Sequence, residues 1–333
     1  MDCTEVLRCG NKHCCVLFPC EGNVKCWGNN GNGQLGTQAR VMVGDEPSEM
    51  GSNLKYLPFK NVTGLFCSHD STCISMWESG EKVFRCWGAN QQGQLGNTQK
   101  GFIITTEFEE LTVVASRLTA GIFSAGSIHP SCARMQTGDI KCWGYSWGNG
   151  YGDSATRGTT AASMGDNLPV LNFGDSYVID MDAGATTRCA LLDNAKVKCW
   201  GPNSLGHLGL ELTFSTHIRV PSDYVILGTE KPVKQISSHS LSTCALFSDG
   251  TAKCWGKGTY LGYSELDPAT AQPINRGGPG TMGTNLPYIS FDSEIVSIQL
   301  STYSSHVVMR HGSLRAWGKG SEGILGVGST VDV

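Results

Sequence analysis

The dipeptide Trp-Gly returns on a regular beat, at Trp27, Trp87, Trp143, Trp200, Trp255 and Trp317, with intervals of 60, 56, 57, 55 and 62 residues. Nothing else in the chain constrains its fold as strongly, because a constant beat of this length means one supersecondary unit used six times. The similarity extends both ways from the tryptophan. Upstream lies a cysteine-bearing strand and a short turn, as in CALLDNAKVKCWG from Cys189 to Gly201 and CALFSDGTAKCWG from Cys244 to Gly256. Downstream comes a glycine-rich turn: GNGQLG from Gly31, QGQLG from Gln92, LGHLG from Leu205 and EGILG from Glu322. Strand-length segments bounded by Gly, Asn, Asp and Ser read as hairpins, so the chain is predicted to be all-β.

The units run at about 1-36, 61-96, 113-152, 178-209, 233-262 and 295-326. Three of the connections echo one another, MGSNLKYLPF from Met50, MGDNLPVLNF from Met164 and MGTNLPYISF from Met282, and each is expected to hold one more strand near its Leu-Pro or Leu-Lys segment. With these features in place the chain resembles the regulator of chromosome condensation repeats, whose units read as strand, HxCAL strand, turn, VxCWG strand and N-x-x-GQLG. The resemblance covers nearly the whole chain. It implies a β-propeller with one blade per repeat, a single domain over 1-333 in which radial repetition protects the sheet edges. That family usually builds seven blades, so six units imply either a six-bladed ring or an incomplete seven-bladed one. The resemblance also places His13, His69 and His306 near a family histidine that bonds within a turn.

Fifteen cysteines are many for 333 residues, and their placement says more than their number. Cys132 and Cys142, Cys189 and Cys199, and Cys244 and Cys254 sit ten residues apart around a turn. Folding that turn into a hairpin brings each pair to a Cα separation of about 4.5 to 5.5 Å, which a disulfide spans. Cys73 with Cys86 and Cys15 with Cys26 fit the same scheme with longer turns. The last repeat carries Val307 or Val308 and Ala316 at the expected places, losing both members together. Five such pairs point to an oxidising compartment, although cysteine is also a small hydrophobe often found buried. Of the remaining Cys3, Cys9, Cys14, Cys20 and Cys67, the second and last occupy equivalent positions on adjacent repeats and are candidates to bridge them. Zinc-finger spacing is absent. Asn61-Val62-Thr63 is an acceptor sequon consistent with secretion. The start Met1-Asp2-Cys3 is not a secretory leader, which fits a mature or partial chain.

A net charge of −4, from 25 basic and 29 acidic residues, supplies no field for a phosphate backbone, so nucleic acid is not an expected partner. The longest apolar runs are strand-sized, and no membrane span is expected. No G-x-S-x-G elbow, P-loop or helical histidine pair is present, so the expectation is a non-enzymatic protein with no catalytic residues, metal or cofactor. Acidic spots at Asp45-Glu46 and Glu107 to Glu110 read as solvated loops. Phe102, Ile103, Ile104 and Phe108 read as an outer strand or a contact surface.

The third connection, GYSWGNGYGDSATRG, concentrates Tyr145, Trp147, Tyr151 and Arg157 among glycines, the residue types enriched at binding hot spots. Trp147 could equally fill the gap left by a degenerate GQLG turn. The leading expectation is an extracellular or cell-surface recognition or assembly module that binds a protein or a glycan through its loops and could pack with other copies. Two alternatives follow from the resemblance: exchange-factor activity on a small GTPase, which needs a β-wedge and a basic or polar face, and inhibition of an enzyme by aromatic loop residues. The family's use of clustered tryptophans as a chromophore needs neighbouring arginines, and no repeated Trp-Arg motif is present.

Overall fold

The computed structural model describes residues 6–10, 12–37, 39–68, 70–97, 109–110, 118–124, 130–135, 138–183, 187–239, 241–263, 265–268, 272–289, 291–300 and 304–318. The chain divides into two compact units, Met1–Leu171 and Asn172–Val333. In the first unit, β1 (Val6–Cys9), β2 (His13–Phe18) and β3 (Asn23–Gly28) make one sheet. A second holds β4 (Val62–Cys67), β5 (Ser71–Glu78), β6 (Glu81–Gly88) and β7 (Glu109–Glu110), and a third β8 (Leu118–Ser124), β9 (Ser131–Met135) and β10 (Ile140–Trp143). In the second unit, β11 (Val178–Ala183), β12 (Arg188–Leu192), β13 (Val197–Pro202) and β14 (His217–Ile218) form the fourth sheet. The fifth contains β15 (Val233–His239), β16 (Ser242–Phe247) and β17 (Ala252–Gly256), and the sixth β18 (Ile295–Leu300), β19 (Ser304–Met309) and β20 (Leu314–Gly318). Every sheet is an antiparallel meander carrying one Trp-Gly repeat, so each is a blade in the sense of the repeat.

The tryptophan sets the spacing between neighbouring blades within each unit. Trp87, Trp143, Trp200 and Trp255 are fully buried. The indole Nε1 of Trp87, Trp143, Trp255 and Trp317 donates to the backbone carbonyl of Gln34, Gln94, His207 and Tyr260, at 3.0, 2.9, 3.0 and 2.9 Å. Each acceptor lies in the glycine-rich turn of the preceding blade. The same carbonyl receives a hydroxyl from the residue opposite the tryptophan in the hairpin: Thr72, Ser131, Thr243 and Ser305, at 2.8, 2.8, 3.4 and 3.0 Å. The turn is held for this task by an asparagine. Asn30, Asn90 and Asn203 accept through Oδ1 from the amides of Leu35, Leu95 and Leu208, whose side chains are buried. Two glycine positions follow. A Cβ on Gly28, Gly88 or Gly256, after the tryptophan, would lie 2.5, 2.4 or 2.2 Å from a carbonyl oxygen of the hairpin's own start. One on Gly209 or Gly262, ending the turn, would strike the next blade's Trp255 or Trp317 at 2.8 or 2.9 Å.

The extra strand expected in the Met-Gly connections shrinks to a single backbone hydrogen bond in each. Leu57, Leu171 and Ile289 donate to Val24, Ile140 and Ala252, all at 2.8 Å. The reason lies just upstream. Gly51, Gly165 and Gly283 take φ of 65°, 63° and 65° and open a 3-10 turn. Their carbonyls accept from the lysine before the Cys-Trp-Gly cysteine, Lys25, Lys141 and Lys253, at 3.3, 3.0 and 3.0 Å. Chain curled onto that lysine is not extended, and the prolines at 58, 169 and 287 offer no amide to a ladder. The acidic pair Glu109–Glu110, expected in a loop, instead forms β7 beside β6. The apolar stretch 102–108 and His69 lie outside the described residues.

All five hairpin disulfides are present: Cys15–Cys26, Cys73–Cys86, Cys132–Cys142, Cys189–Cys199 and Cys244–Cys254, with Cα separations of 4.0 to 4.2 Å, slightly tighter than generic hairpin geometry. Cys14 and Cys20 are disulfide-bonded as well. Cys67, in contrast, is a free thiol, so it does not bridge to Cys9; the register places Cys9 opposite Cys14 within the first hairpin ladder. In the sixth blade the register puts His306 opposite Ala316. The cysteine position there belongs to His306 and not to Val307 or Val308, and both members of the pair are lost.

Buried polar groups tie the first strands of neighbouring blades in the second unit. Gln235 exchanges two hydrogen bonds with the backbone of Ile298, Ser237 Oγ accepts from Leu300, and Asp182 Oδ2 accepts from the Ser238 amide at 2.8 Å. Burial pushes the Asp182 carboxyl up to about 6 despite these donors.

Three outcomes follow. Ser131→Ala should cost about 0.5–1.5 kcal/mol in urea unfolding. Adding Trp143→Phe should cost more than the sum of the two single changes, because the Gln94 carbonyl then loses both donors while buried. For Asp182, the folded pKa lies above the unfolded one, so its stabilising contribution is full below about pH 3.8 and is lost as pH rises through about 6. The difference in stability between the wild type and Asp182→Asn should therefore change across that window and flatten above it. Finally, since burial pushes the Cys67 thiol up to about 12, iodoacetamide at pH 8 should label it slowly in the native chain and rapidly once the chain is unfolded without reductant.

Candidate functional site

The connection after β10 is a closed loop. Gly144 and Arg157 exchange two backbone hydrogen bonds, at 2.9 and 3.1 Å, so residues 145–156 leave and re-enter at one point. Asn149 braces the interior, donating to the Ala155 carbonyl at 3.1 Å and accepting from the Tyr151 amide at 3.2 Å.

The structure divides the four aromatic and basic residues singled out in this loop. Tyr151 is turned inward: its hydroxyl accepts from the Cys142 amide at 2.8 Å and donates to the Pro169 carbonyl at 2.7 Å. Burial raises its pKa above the ordinary tyrosine value. Arg157 lies over the Tyr151 ring, 4.3 Å from the centroid, and grips both carboxylate oxygens of Asp153 at 2.9 and 2.6 Å. The hydrogen bond to Asp153 holds its pKa up. These two residues fasten the loop to the blade.

The fifth blade repeats the device. Tyr263 accepts from the Cys254 amide at 3.0 Å and donates to Pro287 at 2.9 Å, while Arg276 covers its ring at 4.8 Å and pairs with Glu265. Gly256 and Arg276 exchange the closing backbone bonds, at 2.8 and 2.9 Å. Tyr151 and Tyr263 each stand eight residues past their blade's tryptophan, with an acid two residues further on. That shared spacing was the signal in the sequence that they belong to the scaffold.

Trp147 is the part of the loop that faces outward, with the partly buried Tyr145 beside it. Their rings stack at 6.3 Å with 25° between planes, and Trp147 is 49% exposed. Trp147 therefore does not fill a core gap left by the degenerate glycine turn. Gly148, Gly150 and Gly152, at φ 86°, 88° and 84°, fold the chain tightly beneath the pair.

A second outward tryptophan escaped notice in the sequence. Trp77 is the penultimate residue of β5, 50% exposed and close to the two-residue turn Ser79-Gly80 of the second blade's hairpin. Its sign was the Cys73 to Cys86 spacing of 13, against 10 in the third to fifth blades, since the longer hairpin carries residues past the edge that its neighbours cover.

One cluster has the composition of a metal site: His13, Cys15 and Cys67 bring ligand atoms within 4.8 Å of one another. Cys15 is already bonded to Cys26, so the cluster holds one thiol and one imidazole, short of what a structural zinc site needs.

A family model for the regulator of chromosome condensation (RCC1) repeat matches residues 7–34. The ultraviolet-B receptor UVR8 of Arabidopsis thaliana is 26% identical over 295 residues, which cover 83% of this chain and 58% of the receptor's own length. Among solved structures, yeast RCC1 (Prp20) bound to Kap60 superposes with a TM-score of 0.75 at 18% identity, over 98% of this chain and 72% of that one. Prp20p from Saccharomyces cerevisiae, in a structure described together with its binding to Gsp1p and histones, gives 0.74 at 18% identity over 98% and 74%. At such identities the likeness carries the fold. With the repeat match over residues 7–34, the six Trp-Gly sheets and the hairpin cross-links, the chain has a disulfide-containing β-propeller fold like that of the RCC1-repeat proteins.

Proposed function

We propose that this chain is a non-enzymatic recognition module, extracellular or displayed on a cell surface, that grips another protein through the Tyr145–Trp147 pair. One observation carries the reading: in a loop whose Tyr151 and Arg157 are consumed as fasteners, the Trp147 ring is half exposed with the partly buried Tyr145 ring stacked against it. Stacked rings of this kind give contact area at little entropic cost, the property that makes Tyr and Trp frequent anchors. The loop beneath them is already closed by hydrogen bonds, so binding need not order it.

A protein partner is favoured over nucleic acid by the net charge of −4, and the structural neighbours described with Kap60, Gsp1p and histones include binders of proteins. The exterior location is favoured by five hairpin disulfides, which persist in oxidising compartments. Both features weigh against exchange-factor activity on a GTPase inside the cell.

The test compares the wild-type chain with Tyr145→Ala/Trp147→Ala and with Tyr151→Phe against the protein it retains from a cell-surface fraction. Loss of the aromatic pair should weaken binding by about 30-fold or more, the scale of a hot-spot truncation, with the melting temperature unchanged. Tyr151→Phe should lower the melting temperature and leave affinity alone. Equal affinity for wild type and the double alanine variant would remove the reading.

A further inference from the structure

We propose that Asn61 is an N-glycosylation site whose first sugar residue packs on the exposed ring of Trp77. This rests on the exterior location argued above and extends it to a specific modification and a specific contact.

The acceptor Asn61-Val62-Thr63 opens the first strand of the second blade, with Asn61 and Thr63 both exposed. The backbone of Asn61 is fixed from two sides. Its carbonyl accepts from the Trp77 amide at 3.1 Å, and the next amide, Val62, donates to Gly22 of the first blade at 3.2 Å. A Cβ on Gly22 would stand 2.7 Å from the Asn61 nitrogen, so the first blade's turn closes over the main chain while the side chain is left outside. Asn61 adopts φ 55°, a left-handed conformation that asparagine accepts more readily than most residues. The strand register skips Thr63 between Val62 and Gly64, a bulge that puts Thr63 at the surface.

What Asn61 faces follows from the repeat itself. The hydrogen bond from Trp77 to Asn61 recurs from Asp193 to Tyr177, from Ser248 to Pro232 and from Arg310 to Glu294, so these are four copies of one cross-strand position. In the sixth blade the side chains of that pair meet directly, Arg310 with Glu294 as an ion pair. In the second blade the equivalent pair is Asn61 with Trp77. A group attached to Asn61 Nδ2 is thus delivered to the side of the sheet where the half-exposed indole lies, and the CH-bearing face of a pyranose offers an apolar surface to cover it. A role for Asn61 as a turn residue chosen for its φ alone leaves the exposure of Trp77 unexplained.

The chemistry is that of the secretory oligosaccharyl transfer. Asn61 Nδ2 forms a bond to C1 of the first N-acetylglucosamine, the amide gives up one proton, and the C1–O bond to a lipid pyrophosphate donor breaks with lipid pyrophosphate as the leaving group.

The experiment expresses the full chain behind a secretion leader in a eukaryotic host. It reads the mass of the Asn61 peptide before and after peptide N-glycosidase, and the rate at which hydroxyl radicals oxidise Trp77, with Trp147 as reference. Thr63→Ala and Asn61→Gln provide two unglycosylated forms, the first retaining the asparagine at its φ. The expected result is a glycan at Asn61 and oxidation of Trp77 about threefold slower in the glycosylated chain than in Thr63→Ala, with Trp147 unchanged. A secreted, fully cross-linked chain with bare Asn61 would overturn the site while leaving the exterior reading intact. Glycan at Asn61 with equal Trp77 oxidation would overturn the contact. Retention of the chain with the five hairpin cysteine pairs reduced would overturn the exterior reading and this inference with it.

Discussion

The structure depends on one doubly used acceptor, the carbonyl of Gln34, Gln94, His207 or Tyr260 that takes both an indole N–H and a hydroxyl from the following blade. Blades of a repeat protein are separate sheets, so no backbone ladder joins them, and apart from single backbone bonds such as Val62 to Gly22 their contact is made by side chains. A buried tryptophan supplies area, but area alone does not fix an angle. The shared carbonyl does, because two donors on one hairpin converge on a single oxygen. Most of the repeated sequence serves that convergence. The asparagine shapes the turn that presents the oxygen, and the last glycine of the turn makes room for the ring. Since the bond is made by main chain, the residue bearing the acceptor can be Gln, His or Tyr without penalty, and it varies accordingly.

The fourth blade is the instructive departure. Opposite Trp200 it has Arg188 where its neighbours carry Thr or Ser. The guanidinium is fully buried, donates to the Thr187 carbonyl at 3.2 Å and is held down to about 9 by desolvation, partly offset by Asp182. The Asp182 carboxylate thereby lowers the cost of burying the Arg188 charge. Asp182 also caps the Ser238 amide of the fifth blade. Asp182 thus links the fourth blade to the fifth, and because burial raises its pKa to about 6 this link loses its stabilising contribution as the pH rises.

What the sequence revealed, and what it hid, divides along the same line. The blades, the cysteine pairs and the glycine turns were legible because each is a local pattern repeated several times. His306 as the cysteine equivalent was missed by one or two residues, since a hairpin's register depends on its turn and the sixth blade has no cysteine to mark it. The missing outer strands were hidden for a different reason: Lys25, Lys141 and Lys253 curl the connection through contacts about 25 to 30 residues away, which no local periodicity reports. Tyr151 and Arg157 misled because hot-spot composition and scaffold composition coincide, and only the Pro169 and Asp153 contacts separate them.

The same residue type therefore meets three fates in this chain, and its neighbours decide which. Trp87, Trp143 and Trp255 are driven inward because the preceding turn offers each a carbonyl. Trp147, four residues past Trp143, has no comparable slot: Tyr151 already occupies the place beneath the loop, with its hydroxyl joining Cys142 to Pro169. Trp77 lies beyond the point where the second hairpin outgrows its neighbours. Leaving an indole half in water forgoes roughly 2 to 3 kcal/mol of burial at 25 cal/mol per Å². The two half-exposed indoles lie in one unit of a scaffold that buries Trp87, Trp143, Trp200, Trp255 and Trp317, and their surroundings differ, an aromatic ring beside one and an asparagine across the strand from the other.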